Sequence, residues 1–191
     1  MKKYLLCSLI LLYTISSYSQ DSKFYLGVSL GIAAPGSDIG DEIKTGIDLN
    51  LINAGYRFNN EWGVTLNLIS SGHVFDDDND LTLGIAYFGI GPMYSLGLSE
   101  KIYWDIKPQL ALGLTGKTDG TIVDDIDYKG SGFVIGNSFV IGDMAGFDFS
   151  INVDYFTGKF KEAKYGGVTV DLDSDNKISN FKLGLGVRYN F

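Results

Sequence analysis

Apolar and polar residues alternate with a period of two from residue 24 to the C-terminus, and this pattern constrains the fold more than any other feature of the chain. Side chains of a β-strand point alternately to opposite faces, so such a pattern predicts strands. The last strand shows it most clearly, with an apolar face of Phe181, Leu183, Leu185, Val187, Tyr189 and Phe191. Beyond the first twenty residues, no window has a clean helical period. The chain is therefore predicted to be all-β.

Eight alternating segments are joined by connections of unequal length. Residues 59–61, 98–100 and 142–145 are predicted short turns, whereas residues 35–44, 73–79, 116–128 and 158–176 are predicted long polar loops. Short and long connections alternate strictly, so all the long loops should lie at one end. This predicts an antiparallel up-and-down meander that closes into a barrel, which leaves no strand edge unpaired.

The sizes of the side chains predict which face points outward. Large residues without charge fill the apolar rows, including a fourth row of Leu81, Leu83, Ile85 and Tyr87 and a fifth row that ends at Leu114. The opposite faces carry mostly glycine, serine and alanine with scattered charges. An eight-stranded barrel is just wide enough inside for its own side chains, so the large rows cannot all point inward. A transmembrane barrel with a small polar interior is predicted, rather than a soluble carrier.

Aromatic residues collect where the two membrane interfaces of such a barrel would lie. Those expected near the short turns are Phe24, Tyr56, Phe58, Trp62, Tyr103, Trp104, Tyr189 and Phe191. Those expected nearer the long loops are Tyr87, Phe133, Tyr155 and Phe156.

The first twenty residues have the order of a secretory signal peptide. Lys2 and Lys3 precede an apolar run over residues 4–15, and small polar residues lead to Gln20. We therefore expect a signal peptide over residues 1–20 and a single barrel domain over 21–191. The only cysteine, Cys7, leaves no disulfide framework. A net charge of −8 argues against nucleic acid as a partner.

The chain resembles the small OmpX/OmpA-type outer-membrane barrels of Gram-negative bacteria in its signal peptide, its eight alternating segments and its ending Gly186-Val187-Arg188-Tyr189-Asn190-Phe191. A glutamine at the expected cleavage point, here Gln20, also resembles exported proteins of Bacteroidetes. The resemblance implies a monomer in the outer membrane lipid, with the N-terminus and short turns in the periplasm and the long loops outside the cell. Phe191 resembles the terminal signal read by the barrel assembly machinery. The resemblance implies no catalytic residue and no cofactor.

His73 is the only histidine and the one candidate for catalysis. Near the loop end of the third strand, it could serve as the base of a lipid A-modifying hydrolase with a nearby serine. The deacylase family, however, carries its catalytic histidine late in the chain, where this sequence has none. A solvated histidine at the barrel rim is the simpler interpretation, and we predict no enzyme activity.

Two acidic segments are candidate loop tips. The first is Asp76-Asp77-Asp78-Asn79-Asp80, and the second carries Asp171, Asp173 and Asp175 at the spacing that opens an EF-hand calcium loop. The twelfth position of the second segment is Lys182 rather than a glutamate, and the loop joins strands. A solvated turn is therefore favoured over a calcium site, and no metal or other cofactor is predicted.

Charged residues on the inward faces should pair inside so narrow a barrel. They are Asp48, Asp105, Lys107, Asp148, Asp154, Lys182, Arg188 and Arg57. We predict a non-enzymatic outer-membrane barrel with a plugged lumen and acidic extracellular loops. The alternatives are a narrow cation-preferring porin and a lipid A hydrolase that uses His73.

Overall fold

Nine antiparallel strands make up the computed structural model, which describes residues 23–36, 42–77, 80–120, 125–144, 146–172 and 176–191. The strands are β1 (Phe24–Pro35), β2 (Gly46–Arg57), β3 (Trp62–Val74), β4 (Thr82–Ser99), β5 (Ile102–Asp119), β6 (Ile126–Met144), β7 (Phe147–Tyr165), β8 (Val168–Asp171) and β9 (Lys177–Asn190). The predicted signal peptide lies outside the described residues. No helix in the described ranges is long and apolar enough to cross a membrane.

Eight of these strands close into a barrel, as the alternation predicted. Each of β1–β7 pairs with its neighbour in sequence, and β9 pairs with both β1 and β7 to complete the ring. The remaining strand, β8, lies outside the ring and pairs with the C-terminal end of β7. We call the end with the connections β2–β3, β4–β5 and β6–β7 the turn end, and the opposite end the hairpin end.

The outward and inward faces follow the predicted assignment over most of the wall. Leu185 is 69% exposed and Leu30 is 59% exposed, whereas Asp105 and Arg188 on the inward face are 0% and 2% exposed. An apolar band therefore surrounds a lumen that contains charges. Because every barrel strand is paired on both sides, its backbone hydrogen bonds are satisfied without water, as a membrane requires.

The predicted long loops at residues 116–128 and 158–176 are wrong in extent, because most of these residues are strand. β5 and β6 continue to Asp119 and from Ile126, and β7 continues to Tyr165. Gly166 and Gly167, with φ of 55° and 85°, then form a tight turn into β8. Polar composition suggested loops, but alternation continues through these segments, and strands that extend beyond a membrane need no apolar face.

The fourth predicted lipid-facing row is also wrong. Leu83, Ile85 and Tyr87 are buried inside the barrel, and Leu81 precedes β4. β4 alternates without interruption from Thr82 to Leu96, so Phe88 and Ile90 face outward and the odd-numbered residues of this stretch face inward.

The sequence pattern predicts a slip in the alternation over residues 88–91, but the slip lies on β5 instead. There Leu112 and Gly113 form a bulge, with Gly113 at φ 58°, where glycine is favoured. Leu114, which was predicted to face lipid, is thereby turned into the lumen.

Aromatic side chains surround the turn end in contacting pairs, as predicted. Trp62 packs on Tyr94 with ring centroids 4.9 Å apart, and Phe147 packs on Tyr189 at the same distance. Tyr87 and Phe156 depart from the prediction, since both are buried inside the barrel, whereas Tyr103 lies at the turn end and points into the lumen. The described aromatic girdle is therefore denser at the turn end.

Candidate functional site

A buried charge cluster crosses the lumen near the turn end, centred on Arg188 of β9. Its Nη1 donates to Asp105 Oδ2 of β5 at 2.7 Å, and its Nε donates to Asp148 Oδ2 of β7 at 3.0 Å. Its Nη2 donates to the Tyr103 hydroxyl at 2.5 Å, and that hydroxyl donates to Asp148. The guanidinium also lies over the ring of Tyr25, 4.4 Å from its centroid. One arginine thus joins four strands across the barrel.

Arg57 of β2 supplies a second cation beside this cluster. Its Nη2 lies 3.8 Å from Asp105 Oδ2, and its guanidinium lies 4.9 Å from the centroid of the Tyr103 ring. Ser95 of β4 donates to the other Asp105 oxygen at 2.6 Å. Two cations therefore face two carboxylates, and a buried cluster with this balance avoids the large free energy of an isolated buried charge.

Polar side chains continue through the middle of the lumen. Lys182 donates to Asp48 Oδ1 at 2.5 Å, and Lys107 donates to Ser138, whose hydroxyl donates to Asn152 at 2.6 Å. Asp154 accepts the backbone N–H of Asn137 at 3.0 Å. All the charges that the alternation placed inside are found there, and the pairing of Lys182 with Asp48 follows from strand positions that sequence alone does not give.

An apolar layer fills the lumen toward the hairpin end, which the sequence analysis missed. Tyr87 stacks on Phe156 with ring centroids 4.6 Å apart and an interplanar angle of 11°. The buried members of the layer are Ile43, Ile69, Leu83, Ile85, Tyr87, Ala111, Leu114, Val134, Phe156, Phe160 and Ile178. The sequence does contain a sign of this layer. Because Phe88 and Ile90 face outward, alternation counted back along β4 places Leu83, Ile85 and Tyr87 on the inward face.

His73 lies at the edge of this layer that is nearer the hairpin end, and it is 1% exposed. The prediction of a solvated histidine at the rim is therefore wrong. Its Nδ1 lies 3.0 Å from the carbonyl oxygen of Lys44, which fixes the proton on Nδ1, since a carbonyl only accepts. Its Nε2 faces the amide nitrogen of Asn180 at 3.5 Å. The ring is held by a backbone carbonyl and an amide rather than paired with a serine hydroxyl.

The strands beyond the membrane band carry rows of charges. Lys117 of β5 lies opposite Asp127 of β6, which lies opposite Lys164 of β7. Lys117 also contacts Asp125 at 2.6 Å, and the hydrogen bond to that carboxylate raises the pKa of the lysine. The described part of the hairpin end therefore presents both signs of charge.

The predicted acidic loop tips and the calcium loop are only partly covered by the structure. Asp171 is an exposed residue of β8, whereas Asp78, Asp173 and Asp175 lie outside the described residues. Among the residues that the structure does describe, no three acidic, histidine or cysteine side chains are grouped to hold a metal ion. The acidic outer surface stays a prediction.

A cavity of about 840 Å³ opens at the turn end, below the charge cluster. Arg57, Tyr103 and Asp148 lie at its inner limit, and the turns between strands form its rim. Side chains of the cluster separate this vestibule from the rest of the lumen.

Known outer-membrane proteins of similar structure share this architecture. Neisserial surface protein A (NspA) is 16% identical and aligns over 88% of this chain and 97% of its own, with a TM-score of 0.63. Ail, the attachment invasion locus protein of Yersinia pestis, is 15% identical over 89% and 100%, with a TM-score of 0.54. OprG of Pseudomonas aeruginosa is 12% identical over 89% and 96%, with a TM-score of 0.57.

At these identities the structures show a shared fold. No curated protein sequence matches the chain. The family model described as "Outer membrane protein beta-barrel domain" matches residues 5–191, almost the whole chain. The closed barrel, its apolar outer band and this match place the protein in the cell outer membrane, and the chain belongs to the outer membrane protein β-barrel domain family.

Proposed function

We propose that this protein is a non-enzymatic surface barrel that displays its hairpin end outside the cell and conducts no ions. The observation that carries the proposal is the pair of side-chain layers across the lumen: the charge cluster around Arg188 and the apolar layer around Tyr87 and Phe156. Loops and hairpins on such a rigid scaffold are the usual place for recognition.

The two layers oppose ion passage by different means. An ion that entered from the turn end would have to displace the ion pairs that Arg188 forms with Asp105 and Asp148. An ion that passed them would then meet aliphatic and aromatic side chains, where a charge without a partner is strongly disfavoured. The narrow cation-preferring porin is therefore the weaker alternative.

The contacts of His73 also weigh against a lipid A hydrolase. A general base must reach the proton that it removes, and its ring must be oriented by a partner that stabilises the charged form. The Nδ1 hydrogen of His73 points to a neutral backbone carbonyl, and burial closes the ring from lipid substrates. A His73→Ala variant should leave the lipid A profile of the host unchanged; a shift in acylation would revive the enzyme.

Orientation can be tested by labelling intact cells with a membrane-impermeant maleimide. Thr169→Cys places a thiol on the exposed β8, and Ser99→Cys places one at the exposed turn end, in a chain whose only native cysteine is Cys7. We expect label on the first variant in intact cells and on the second only after permeabilisation. The reverse pattern would overturn the proposed display.

Closure can be tested in planar bilayers with the purified protein. We expect no steady conductance from the unmodified barrel. Reproducible cation-selective channels would overturn the plug and favour the porin.

Phe191 is proposed as the contact for the barrel assembly machinery. Its backbone N–H donates to the carbonyl of Phe24 at 2.8 Å, and its ring lies 4.9 Å from that of Tyr189. Deletion of Phe191 should slow insertion in cells more than unassisted refolding in detergent. Equal effects on both would assign the residue to folding alone.

A further inference from the structure

Two arginines lie beside the vestibule at the turn end, and they differ in how their hydrogen-bond donors are used. Arg188 donates through Nε, Nη1 and Nη2, to two carboxylates and a hydroxyl. Within the part of the chain that the structure describes, the buried Nη2 of Arg57 has no hydrogen-bond partner. Arg57 lines the vestibule and is therefore a candidate to bind a ligand there.

The surroundings of Arg57 hold its guanidinium in place without using its donors. Its Nη2 lies 3.8 Å from Asp105 Oδ2, too far for a hydrogen bond, and both oxygens of Asp105 already accept from other side chains. The ring of Tyr103 lies 4.9 Å from the guanidinium carbon. An aromatic ring contacts the face of a guanidinium, whereas the N–H donors lie in its plane. The donors are thus left for an acceptor that the described residues do not supply.

Asn190 of β9 has the complementary group and lines the same vestibule. Its Nδ2 donates to the carbonyl oxygen of Gly146 at 3.3 Å, which fixes the orientation of the amide, since a carbonyl only accepts. The Asn190 Oδ1 is then a buried acceptor without a partner among the described residues. Buried polar atoms without partners are rare in folded proteins. An unused donor and an unused acceptor beside one cavity therefore indicate a bound molecule that supplies both partners.

Arg57 and Asn190 lie on either side of β1. The backbone N–H of Arg57 donates to the carbonyl of Lys23 at 2.7 Å, and Asn190 pairs with Tyr25. Their strands are therefore two spacings apart, which is roughly 10 Å. A ligand whose acceptor and donor are one or two residues apart can reach both side chains.

The vestibule has the room and the charge for a small anion. Its volume of about 840 Å³ falls within the range of ligand pockets, roughly 300–1,000 Å³. Gly97 lines it, and no atom lies within 4 Å of the position that a Cβ would take there. On the described rim, Lys23 and Lys101 outnumber Glu100, whereas the charge cluster behind the vestibule is balanced. A ligand with one negative charge is thus compensated.

We propose that the vestibule binds a small ligand in which a carboxylate lies next to an amide N–H, the chemistry of an N-acylated amino acid and of the C-terminal residue of a peptide. The planar guanidinium of Arg57 holds the carboxylate, and Asn190 Oδ1 accepts the amide N–H. In the orientation proposed above the vestibule opens to the periplasm, but binding itself does not depend on that orientation.

The test is isothermal titration calorimetry of the purified, folded barrel in detergent, with N-acetyltrialanine and N-acetylalanine as probes. N-acetyltrialanine amide lacks the carboxylate and is the matched control ligand. We expect both acids to bind and the amide to bind at least about tenfold more weakly. Tighter binding of the tripeptide identifies a peptide end as the ligand, whereas equal affinities identify the single acylated residue.

Two positions locate binding in the vestibule. Arg57→Gln should weaken binding of both acids about tenfold or more, and Arg57→Lys, which keeps the charge but not the planar fork, should restore only part of the affinity. Gly97→Leu should also weaken binding, because it fills the vestibule and leaves every charge in place.

Each variant has a matched control outside the vestibule. Gly72→Leu, at an outward-facing glycine of β3 with equal space around it, should bind as the unmodified protein does. The same result is expected of Lys117→Gln, which removes one positive charge at the hairpin end. Heat-dependent gel migration verifies that each variant is folded.

Three results would overturn the site. They are equal binding of the tripeptide acid and its amide, unchanged binding in Gly97→Leu, and no binding of either acid at about 10 mM. The last result would assign ordered water to the two unpartnered groups. Because the titration uses purified protein, its failure would leave the proposed display and closure of the barrel unaffected.

Discussion

The two halves of the lumen are enclosed by the same eight strands but filled with opposite chemistry. At the turn end, Arg188 holds Asp105, Asp148 and Tyr103 with hydrogen bonds of fixed direction. At the hairpin end, Tyr87, Phe156 and their neighbours fill the space by packing. A barrel wall thus sets the width of its interior without setting what occupies it.

The charge cluster and the apolar layer should respond differently when one of their side chains is removed. A buried charge cluster depends on complete pairing, so removal of one partner leaves another charge without compensation. An apolar layer loses only the contacts of the atoms removed and the space that they leave. The turn end should therefore be the more sensitive half, and its defects should be repairable by removal of the opposite charge.

Arg188→Met should give the largest loss, because it removes the cation that is hydrogen-bonded to both Asp105 and Asp148. We expect the free energy of unfolding to fall by about 3–5 kcal/mol, measured by urea titration with the fluorescence of Trp62 and Trp104. The double variant Arg188→Met/Asp105→Asn restores a balance of one cation and one carboxylate and should recover much of that loss. Additive losses in the double variant would contradict the dependence on charge pairing.

Ile85→Ala should remove packing from the apolar layer, at about 2–5 kcal/mol in the same titration. Ile90→Ala is the matched control on the same strand, because Ile90 faces outward and lipid can fill the space that it leaves. A loss at Ile90 as large as that at Ile85 would place Ile85 outside the packed interior.

Gly113→Ala should weaken the bulge that turns Leu114 into the apolar layer. A residue with a Cβ in this left-handed conformation is less stable by about 1–2 kcal/mol, and no atom lies within 4 Å of the added carbon. Gly97→Ala, which has equal space and no positive φ, should be nearly neutral. Similar losses at both glycines would show that the bulge conformation is not what matters.

Lys117→Gln should have the smallest effect. Its ion pair with Asp125 is half-exposed on both sides, and such pairs add little to stability. We expect no measurable shift of the urea midpoint in 150 mM salt, roughly the physiological ionic strength. A clear shift would mean that the charged rows of the hairpin end stabilise the barrel.

The sequence by itself was enough to predict the closed eight-stranded barrel, its apolar outer band and the inward position of the charged residues in the lumen. Alternation carries this information because each strand residue has only two faces available. At a bulge, however, an extra residue shifts the alternation of inward and outward side chains, and the sequence does not show on which strand a bulge lies. The sequence pattern predicts a slip in the alternation near Phe88, whereas the structure has the slip at Gly113 on the neighbouring strand. For this reason the sequence pattern places four residues on the wrong face: Leu83, Ile85, Tyr87 and Leu114.

Tertiary structure alone decided which inward residues meet. Lys182 pairs with Asp48, 134 positions away, because closure of the ring brings β9 and β2 to either side of β1. It likewise decided that His73 is buried and that Lys159 lies opposite Lys177, since both depend on register between strands. The local pattern fixes the face of each residue, whereas hydrogen-bond register and ring closure fix its neighbours. The ion pairs and packed layers of this barrel depend on those neighbours.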